Sequence, residues 1–60
     1  MRKNLIKFRG SRTQKQMGQM FGVLQQTWSE WERGKTTPTA KTLKKIAKAA
    51  GMTVDQLFFN

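Results

Sequence analysis

The stretch that decides the fold is TQKQMGQMFGVLQQTWSEWERG, residues 13–34. It predicts two short helices joined by a tight turn at Gly22, where glycine favours the left-handed backbone that ends many helices. Thr13 and Gln16 have the spacing of a capping box, in which a hydroxyl and an amide each satisfy a free backbone N–H. We therefore expect the first helix to begin at Thr13 and the second to run from about Gln25 to Arg33.

Apolar side chains recur at helical spacing on one side of each of these helices, which predicts that the two pack together. Gly18 is small enough to let two helices touch beside a tight turn. Two tryptophans can also form a stacking platform for single-stranded nucleic acid, but their spacing with the other apolar residues favours core packing. We expect the wedge between the helices to contain Met17, Phe21, Val23, Trp28 and Trp31.

The other segments of the chain also have helical patterns, and none shows the sustained alternation of a strand. Helix 1 is predicted over about Asn4–Arg9, and helix 4 from Pro38, in its first turn, to about Ala50. A short fifth helix follows Thr53, which forms a second capping-box pattern with Gln56. The sequence thus predicts one all-α domain over residues 1–60, with five helices and short connections.

The composition argues against most catalytic chemistry. The 60 residues include no cysteine and no histidine, and the acids are only Glu30, Glu32 and Asp55. Disulfides, the usual zinc ligands and the commonest general base are therefore missing. We expect that the protein is not an enzyme and that it has no metal, no other cofactor and no small-molecule ligand.

The sequence also lacks the patterns of export and membrane insertion. No apolar run approaches the roughly 20 residues that span a bilayer. The start, MRKNLIKF, is basic, but no long apolar core follows it as in a signal peptide. We expect no membrane segment and a cytoplasmic, nucleoid-associated location.

The charge balance predicts an anionic partner. Twelve lysines and arginines against three acids give a formal net charge of +9, which favours DNA, RNA or an anionic membrane surface. No helix combines a broad exposed apolar face with a basic one, which argues against the membrane. Gln25 and Gln26 lead the polar face of helix 3, and glutamine can pair bidentately with adenine in the major groove. Double-stranded DNA is therefore the expected partner.

Short motifs along almost the whole chain have an order and spacing typical of one family. They are Leu5-x-x-Phe8-Arg9, Thr13-Gln14, Gly18, Gly22-Val23, Trp31-Glu32-Arg33-Gly34, Pro38-Thr39, Leu43-x-x-Ile46-Ala47 and Val54-Asp55-Gln56-Leu57-Phe58. Together they resemble the helix-turn-helix repressors of the phage Cro and CI type, the XRE family. The resemblance implies a compact five-helix bundle of the lambda-repressor-like type, with helices 2 and 3 forming the helix-turn-helix.

The resemblance also implies a function: a sequence-specific transcriptional regulator, of repressor type, that binds a palindromic operator as a homodimer. In such motifs the second helix enters the major groove with its N-terminus first. On helix 3 (about residues 24–33), the implied base contacts are Gln25, Gln26 and Ser29, followed by Thr27 and Glu30. Glu30 either accepts a hydrogen bond from cytosine or repels phosphate and limits how closely the helix docks.

Phosphate contacts follow from the same resemblance. Gln14 stands where the family places a phosphate-contacting glutamine at the start of helix 2, and the free N–H groups of that helix end would add to the site. The loop after helix 3 is where the family meets the DNA backbone. The implied phosphate-contacting residues are Gln14, Arg12, Lys15, Arg33, Lys35, Thr36 and Thr37.

Three positions have structural implications within this resemblance. Arg9 and Glu32 match a pair that in this family forms a buried salt bridge between helices 1 and 3. Leu24 replaces the usual serine or threonine N-cap of helix 3, at a cost of about 1 kcal/mol, and instead offers an apolar contact to a thymine methyl group. Trp28 replaces a smaller aliphatic residue, and we expect Gly18 to accommodate its indole.

The sequence leaves two interpretations open for several surface residues. The stripe Lys41, Lys44, Lys45 and Lys48 is either a solvated face or a source of long-range attraction to DNA. The basic start (Arg2, Lys3 and Lys7) is either disordered or a phosphate grip, and Phe59 is either exposed or part of a dimer interface. The alternative function is a protein-interaction module of antitoxin or adaptor type on the same fold.

Overall fold

A computed structural model describes residues 1–59 of the chain. Those residues form four α-helices and a short C-terminal π-helix, with no strand among them. The all-α, five-helix prediction is therefore confirmed, although the fifth helix is a single wide turn. The helices span Lys3–Arg9 (α1), Gln14–Phe21 (α2), Gln25–Arg33 (α3), Ala40–Ala50 (α4) and Asp55–Phe59 (the π-helix).

α2 begins and ends where the sequence predicts. Thr13 is its N-cap and makes the full capping box with Gln16, because each residue's side chain bonds to the other's backbone N–H. At the other end Gly22 has a left-handed backbone with φ of 72°. The N–H of Val23 then donates to the carbonyl of Gly18 at 2.8 Å, the 6→1 bond of a Schellman motif. This motif turns the chain sharply toward α3.

The start of α4 differs from the prediction. The helix begins at Ala40 after Thr39, whose extended backbone marks it as the N-cap. Pro38 therefore precedes the helix and does not form part of its first turn. It is buried, so its ring contributes to packing. Thr39 makes no side-chain capping hydrogen bond, so only its extended backbone marks the helix start, two residues after the predicted one.

One apolar core joins all five helices. Its buried members are Leu5, Met17, Trp28, Trp31, Ile46, Leu57 and Phe58. The predicted wedge is present within this core, because Phe21 and Val23 pack against it as half-buried neighbours. The Trp28 ring stacks on Phe21 with 5.7 Å between centroids and meets Trp31 edge-on at 5.6 Å. The tryptophans are thus core residues, and Trp28 is fully covered.

Gly18 is the point of closest approach between α2 and the turn that leads into α3. A Cβ atom at this position would lie 2.6 Å from the carbonyl oxygen of Val23 and 3.2 Å from backbone atoms of Leu24. The expectation that Gly18 makes room for the indole of Trp28 is therefore corrected. The nearest neighbours of residue 18 are backbone atoms, so the glycine is needed for the turn itself.

Candidate nucleic-acid interface

One side of α3 is buried and the other faces outward. Trp28, Trp31 and Glu32 are at most 5% exposed and hold the inner side against the rest of the molecule. With about 100° between successive residues, Gln26 lies on the side opposite them. Among the five residues predicted to contact bases, Gln25 and Gln26 are exposed, and three are half-buried: Thr27, Ser29 and Glu30.

Leu24 is the N-cap of α3. Its backbone is extended, its side chain makes no capping hydrogen bond, and the side chain is 75% exposed. The first N–H groups of α3 consequently have no side-chain acceptor at the helix start. They lie at the same end as exposed Gln25 and Gln26, where the helix dipole places partial positive charge.

The N-terminus of α2 has a similar character. The Thr13 hydroxyl accepts from the N–H of Gln16 at 3.0 Å, and the N–H of Met17 begins the intrahelical pattern. The N–H groups of Gln14 and Lys15 come before those bonds, so within residues 1–59 they have no protein acceptor. Lys15 is exposed and Gln14 is half-buried. This helix end can therefore accept an anion.

Glu32 connects this helix end to α1 and α3. Its carboxylate is 2% exposed and lies 2.7 Å from Nε of Arg9, the partner that the family resemblance implies for it. Nη2 of Arg9 also donates to Oε1 at 3.3 Å. Two further donors complete the set: Nε1 of Trp28 bonds to Oε2 at 2.6 Å, and Nε2 of Gln14 bonds to Oε1 at 3.0 Å.

The Trp28 bond was not foreseen from the sequence. Trp28 precedes Glu32 by four residues, and side chains at that spacing are neighbours on a helix surface. The spacing could therefore have indicated the contact, since a buried indole N–H usually finds an acceptor. The bond gives the buried indole N–H of Trp28 an acceptor.

Opposing effects act on the pKa of Glu32. Burial is the largest single effect, and it raises the pKa. Hydrogen bonds from Arg9, Gln14 and Trp28, together with the positive charge of Arg9, outweigh burial and lower the pKa below its ordinary value. Glu32 is therefore ionised at neutral pH, as its four hydrogen-bond donors require.

Arg2 organises the loop that follows α3. Its Nη1 donates to the carbonyls of Trp31 at 2.9 Å and Thr36 at 2.6 Å, and its Nη2 donates to Oγ1 of Thr37 at 2.8 Å. The guanidinium also bonds to the carbonyl of Phe58 at 3.2 Å and lies over that ring. Burial lowers the pKa of Arg2. Arg2 is therefore held within the protein and is not open to phosphate. No local sequence pattern indicated that Arg2 would order this loop.

The loop itself presents several residues of the predicted phosphate set. Lys35, Thr36 and Thr37 are exposed, and so is Arg33 at the end of α3. The N–H of Lys35 donates to the carbonyl of Glu30 at 2.9 Å, which fixes the loop to the last turn of α3. Because Arg2 donates to the Thr37 hydroxyl oxygen, the hydroxyl hydrogen of Thr37 stays available as a donor.

Arg12 is engaged within the protein. Its guanidinium donates to the carbonyls of Phe8 at 2.8 Å and Arg9 at 3.2 Å, and it lies 5.2 Å from the Phe8 ring centroid. The residue therefore satisfies the carbonyls at the C-terminus of α1. A phosphate contact would use the part of this half-buried group that remains accessible.

Several further basic residues lie at the surface. Lys3, Lys7 and the four lysines of the α4 stripe are exposed. Phe58 is buried, whereas Phe59 is 61% exposed. Within residues 1–59 no cluster of acidic or metal-binding side chains could hold a metal ion. No helix in the same range is long and apolar enough to cross a membrane.

Comparison with known proteins agrees with this geometry. The family model described as Helix-turn-helix matches residues 3–57, almost the whole chain. Neither the curated proteins nor the solved structures yield a significant match. A tight turn between α2 and α3, an outward polar face on α3 and a basic loop after it are the parts that such a family uses on duplex DNA. The chain belongs to the XRE-type helix-turn-helix family of DNA-binding transcriptional regulators.

Proposed function

We propose that the protein is a repressor that binds a short palindromic operator as a homodimer, with α3 of each copy in the major groove. The main support is the arrangement of α3, where Gln25 and Gln26 are exposed at its N-terminal end while Trp28, Trp31 and Glu32 hold its inner side. A helix fixed in this way can place side chains against base edges. Gln25, Gln26 and Ser29 are the proposed base contacts, with Thr27 and Glu30 beside them.

The proposed phosphate contacts surround this helix in sequence. At the start of α2 they are the free N–H groups and the side chains of Gln14 and Lys15, with the accessible part of Arg12. After α3 they are Arg33, Lys35, Thr36 and Thr37. Lysine and arginine contacts displace condensed counterions, so affinity should fall steeply as the salt concentration rises.

The size of the molecule supports a dimer on DNA. One copy measures 23 × 21 × 21 Å, whereas half-sites of helix-turn-helix dimers lie roughly 34 Å apart. A single α3 therefore reads a few base pairs within one half-site. Two copies related by a twofold axis would read a palindrome and gain the specificity that one short helix lacks. In this proposal a bound dimer represses because it excludes other proteins from the same DNA.

Selection of bound sites from random duplex DNA tests the proposal most directly. We expect a motif with twofold symmetry and half-sites one helical turn apart. An asymmetric motif would contradict the dimer, and recovery of no motif would contradict sequence-specific reading. Competition with structured RNA in the same assay tests the preference for duplex DNA, and we expect RNA to compete weakly.

The alternative is a protein-interaction module of antitoxin or adaptor type. The exposed Phe59 is the observation that favours it, because a 61% exposed phenylalanine offers an apolar contact to another protein. A purified protein that shifts no duplex DNA at low salt would support this alternative.

A further inference from the structure

The carboxylate of Glu32 is saturated with hydrogen bonds. Oε2 accepts from Arg9 at 2.7 Å and from Trp28 at 2.6 Å, while Oε1 accepts from Arg9 at 3.3 Å and from Gln14 at 3.0 Å. An ionised carboxylate offers about four acceptor sites. Each oxygen is therefore held by two donors, and the group has little freedom to rotate.

This saturation fixes the amide of Gln14. An ionised carboxylate can only accept hydrogen bonds, so the nitrogen of the Gln14 amide must face it and the amide oxygen must face elsewhere. One hydrogen of the Gln14 NH₂ group is used on Glu32. The second hydrogen remains available, next to the free backbone N–H groups of Gln14 and Lys15.

We propose that Trp28 is a positioning residue for the phosphate contact at the start of α2. Its indole N–H holds Oε2 of Glu32, which keeps Oε1 directed at Gln14, and Gln14 then offers its second N–H to a phosphate. Trp28 is fully buried, so it cannot touch DNA, and its effect on this phosphate contact passes through Glu32 and Gln14. This inference rests on the proposed binding of duplex DNA.

The matched experiment removes one N–H and little else. Chemical synthesis can replace Trp28 with β-(benzothiophen-3-yl)alanine, in which sulfur stands in place of the indole N–H and the ring shape is kept. Trp31 is the control, because within residues 1–59 its indole makes no hydrogen bond to Glu32 and it shares the same core. We expect the change at position 28 to weaken binding to the selected operator roughly three- to tenfold, the range for one hydrogen bond. The change at position 31 should alter binding less than about twofold.

A neutral phosphate distinguishes positioning from general damage. Methylphosphonate is substituted in turn at each phosphate of the operator, and the position that most weakens binding by wild type but not by Gln14→Ala marks the contact of Gln14. At that position the loss caused by the change at residue 28 should disappear, because the contact is already gone. A loss that persists unchanged on the modified DNA would overturn the proposal.

A measurement on the free protein tests the same connection without DNA. In ¹⁵N NMR spectra one side-chain amide proton of Gln14 should exchange slowly with solvent, and the change at position 28 should speed that exchange while the change at 31 leaves it as in wild type. Equal exchange in both variants would also overturn the proposal. If wild type fails to bind any duplex, the proposed function fails, and this measurement still decides whether Trp28 positions Gln14.

Discussion

Gly18 and Val23 meet through their backbones on both sides of the turn. The N–H of Val23 donates to the carbonyl of Gly18 at 2.8 Å, and a Cβ atom on residue 18 would lie 2.6 Å from the carbonyl oxygen of Val23. Backbone atoms cannot move aside as the end of a flexible side chain can. The turn that orients α3 therefore requires glycine at residue 18.

Replacing Gly18 with alanine should destabilise the fold by about 1–3 kcal/mol, the usual cost of forced overpacking. At an open helical site the same change would stabilise by up to about 1 kcal/mol, so the sign of the effect is informative. Urea unfolding measures it, with Gln19→Ala on exposed α2 surface as a control that should change stability by less than about 0.5 kcal/mol. Unchanged or increased stability of Gly18→Ala would contradict the close approach.

Acid should destabilise the folded protein by protonating Glu32. Because the pKa of Glu32 is lowered in the folded state, the unfolded chain binds more protons under acidic conditions. The stability that this group contributes is complete above its ordinary pKa of about 4.5 and is lost as the pH falls through the lower folded value. Thermal midpoints measured from pH 7 down to pH 2 should show this decrease.

Glu30→Gln provides the control for that measurement, because Glu30 lies outside the buried network on the same helix. The variant should keep the acid decrease. Glu32→Gln should instead lose about 3–5 kcal/mol already at neutral pH, because it leaves Arg9 without its charged partner. If Glu30→Gln abolished the acid decrease, Glu32 would not be its source.

Arg2 should be needed for an ordered loop after α3. Arg2→Lys keeps the charge but loses the planar fork that reaches Trp31, Thr36 and Thr37 together. We expect a loss of about 1–2 kcal/mol, given the partial exposure of these bonds, and faster amide exchange in residues 34–37. Lys3→Gln is the matched exposed change and should leave both measurements as in wild type.

Leu24 should trade stability against DNA contact. Leu24→Ser supplies the missing N-cap of α3 and should raise the free energy of unfolding by about 1 kcal/mol. If Leu24 contacts a thymine methyl group, the same variant should bind more weakly to operators that contain the thymine and equally to those that lack it. Leu24→Ala separates the two effects, because it removes the apolar contact and adds no cap. A serine variant no more stable than the alanine variant would contradict the capping account.

Base reading and phosphate binding should separate by substitution. Gln26→Ala should relax the preference at one or two base pairs of the selected motif, whereas Lys15→Ala should weaken binding to all sequences alike. Lys15→Ala should also reduce the slope of log affinity against log salt by about 0.9. Competition among operator variants and salt titrations provide these values. An equal loss on all sequences for Gln26→Ala would exclude a base contact there.

The sequence by itself determined the helices and the turn between α2 and α3. Thr13, Gln16 and Gly22 act on backbone groups only a few residues away, so their effect can be read from spacing alone. The ion pair of Arg9 and Glu32 was also predictable, but through the resemblance to a family. Local patterns gave no indication of it, because the two residues lie 23 positions apart.

Only the tertiary structure decided how the polar groups pair. Gln14 faces Glu32, and Arg2 joins Trp31, the loop after it and Phe58, across 29 to 56 positions of sequence. A buried polar group left unpaired costs about 1–3 kcal/mol. The packing of the helices decides which donors and acceptors are buried together, and these groups then pair with each other. Residue 18 also shows what each level determines. The sequence alone shows that this residue is small. Only the packing shows that its nearest neighbours are backbone atoms of the turn and not the indole of Trp28.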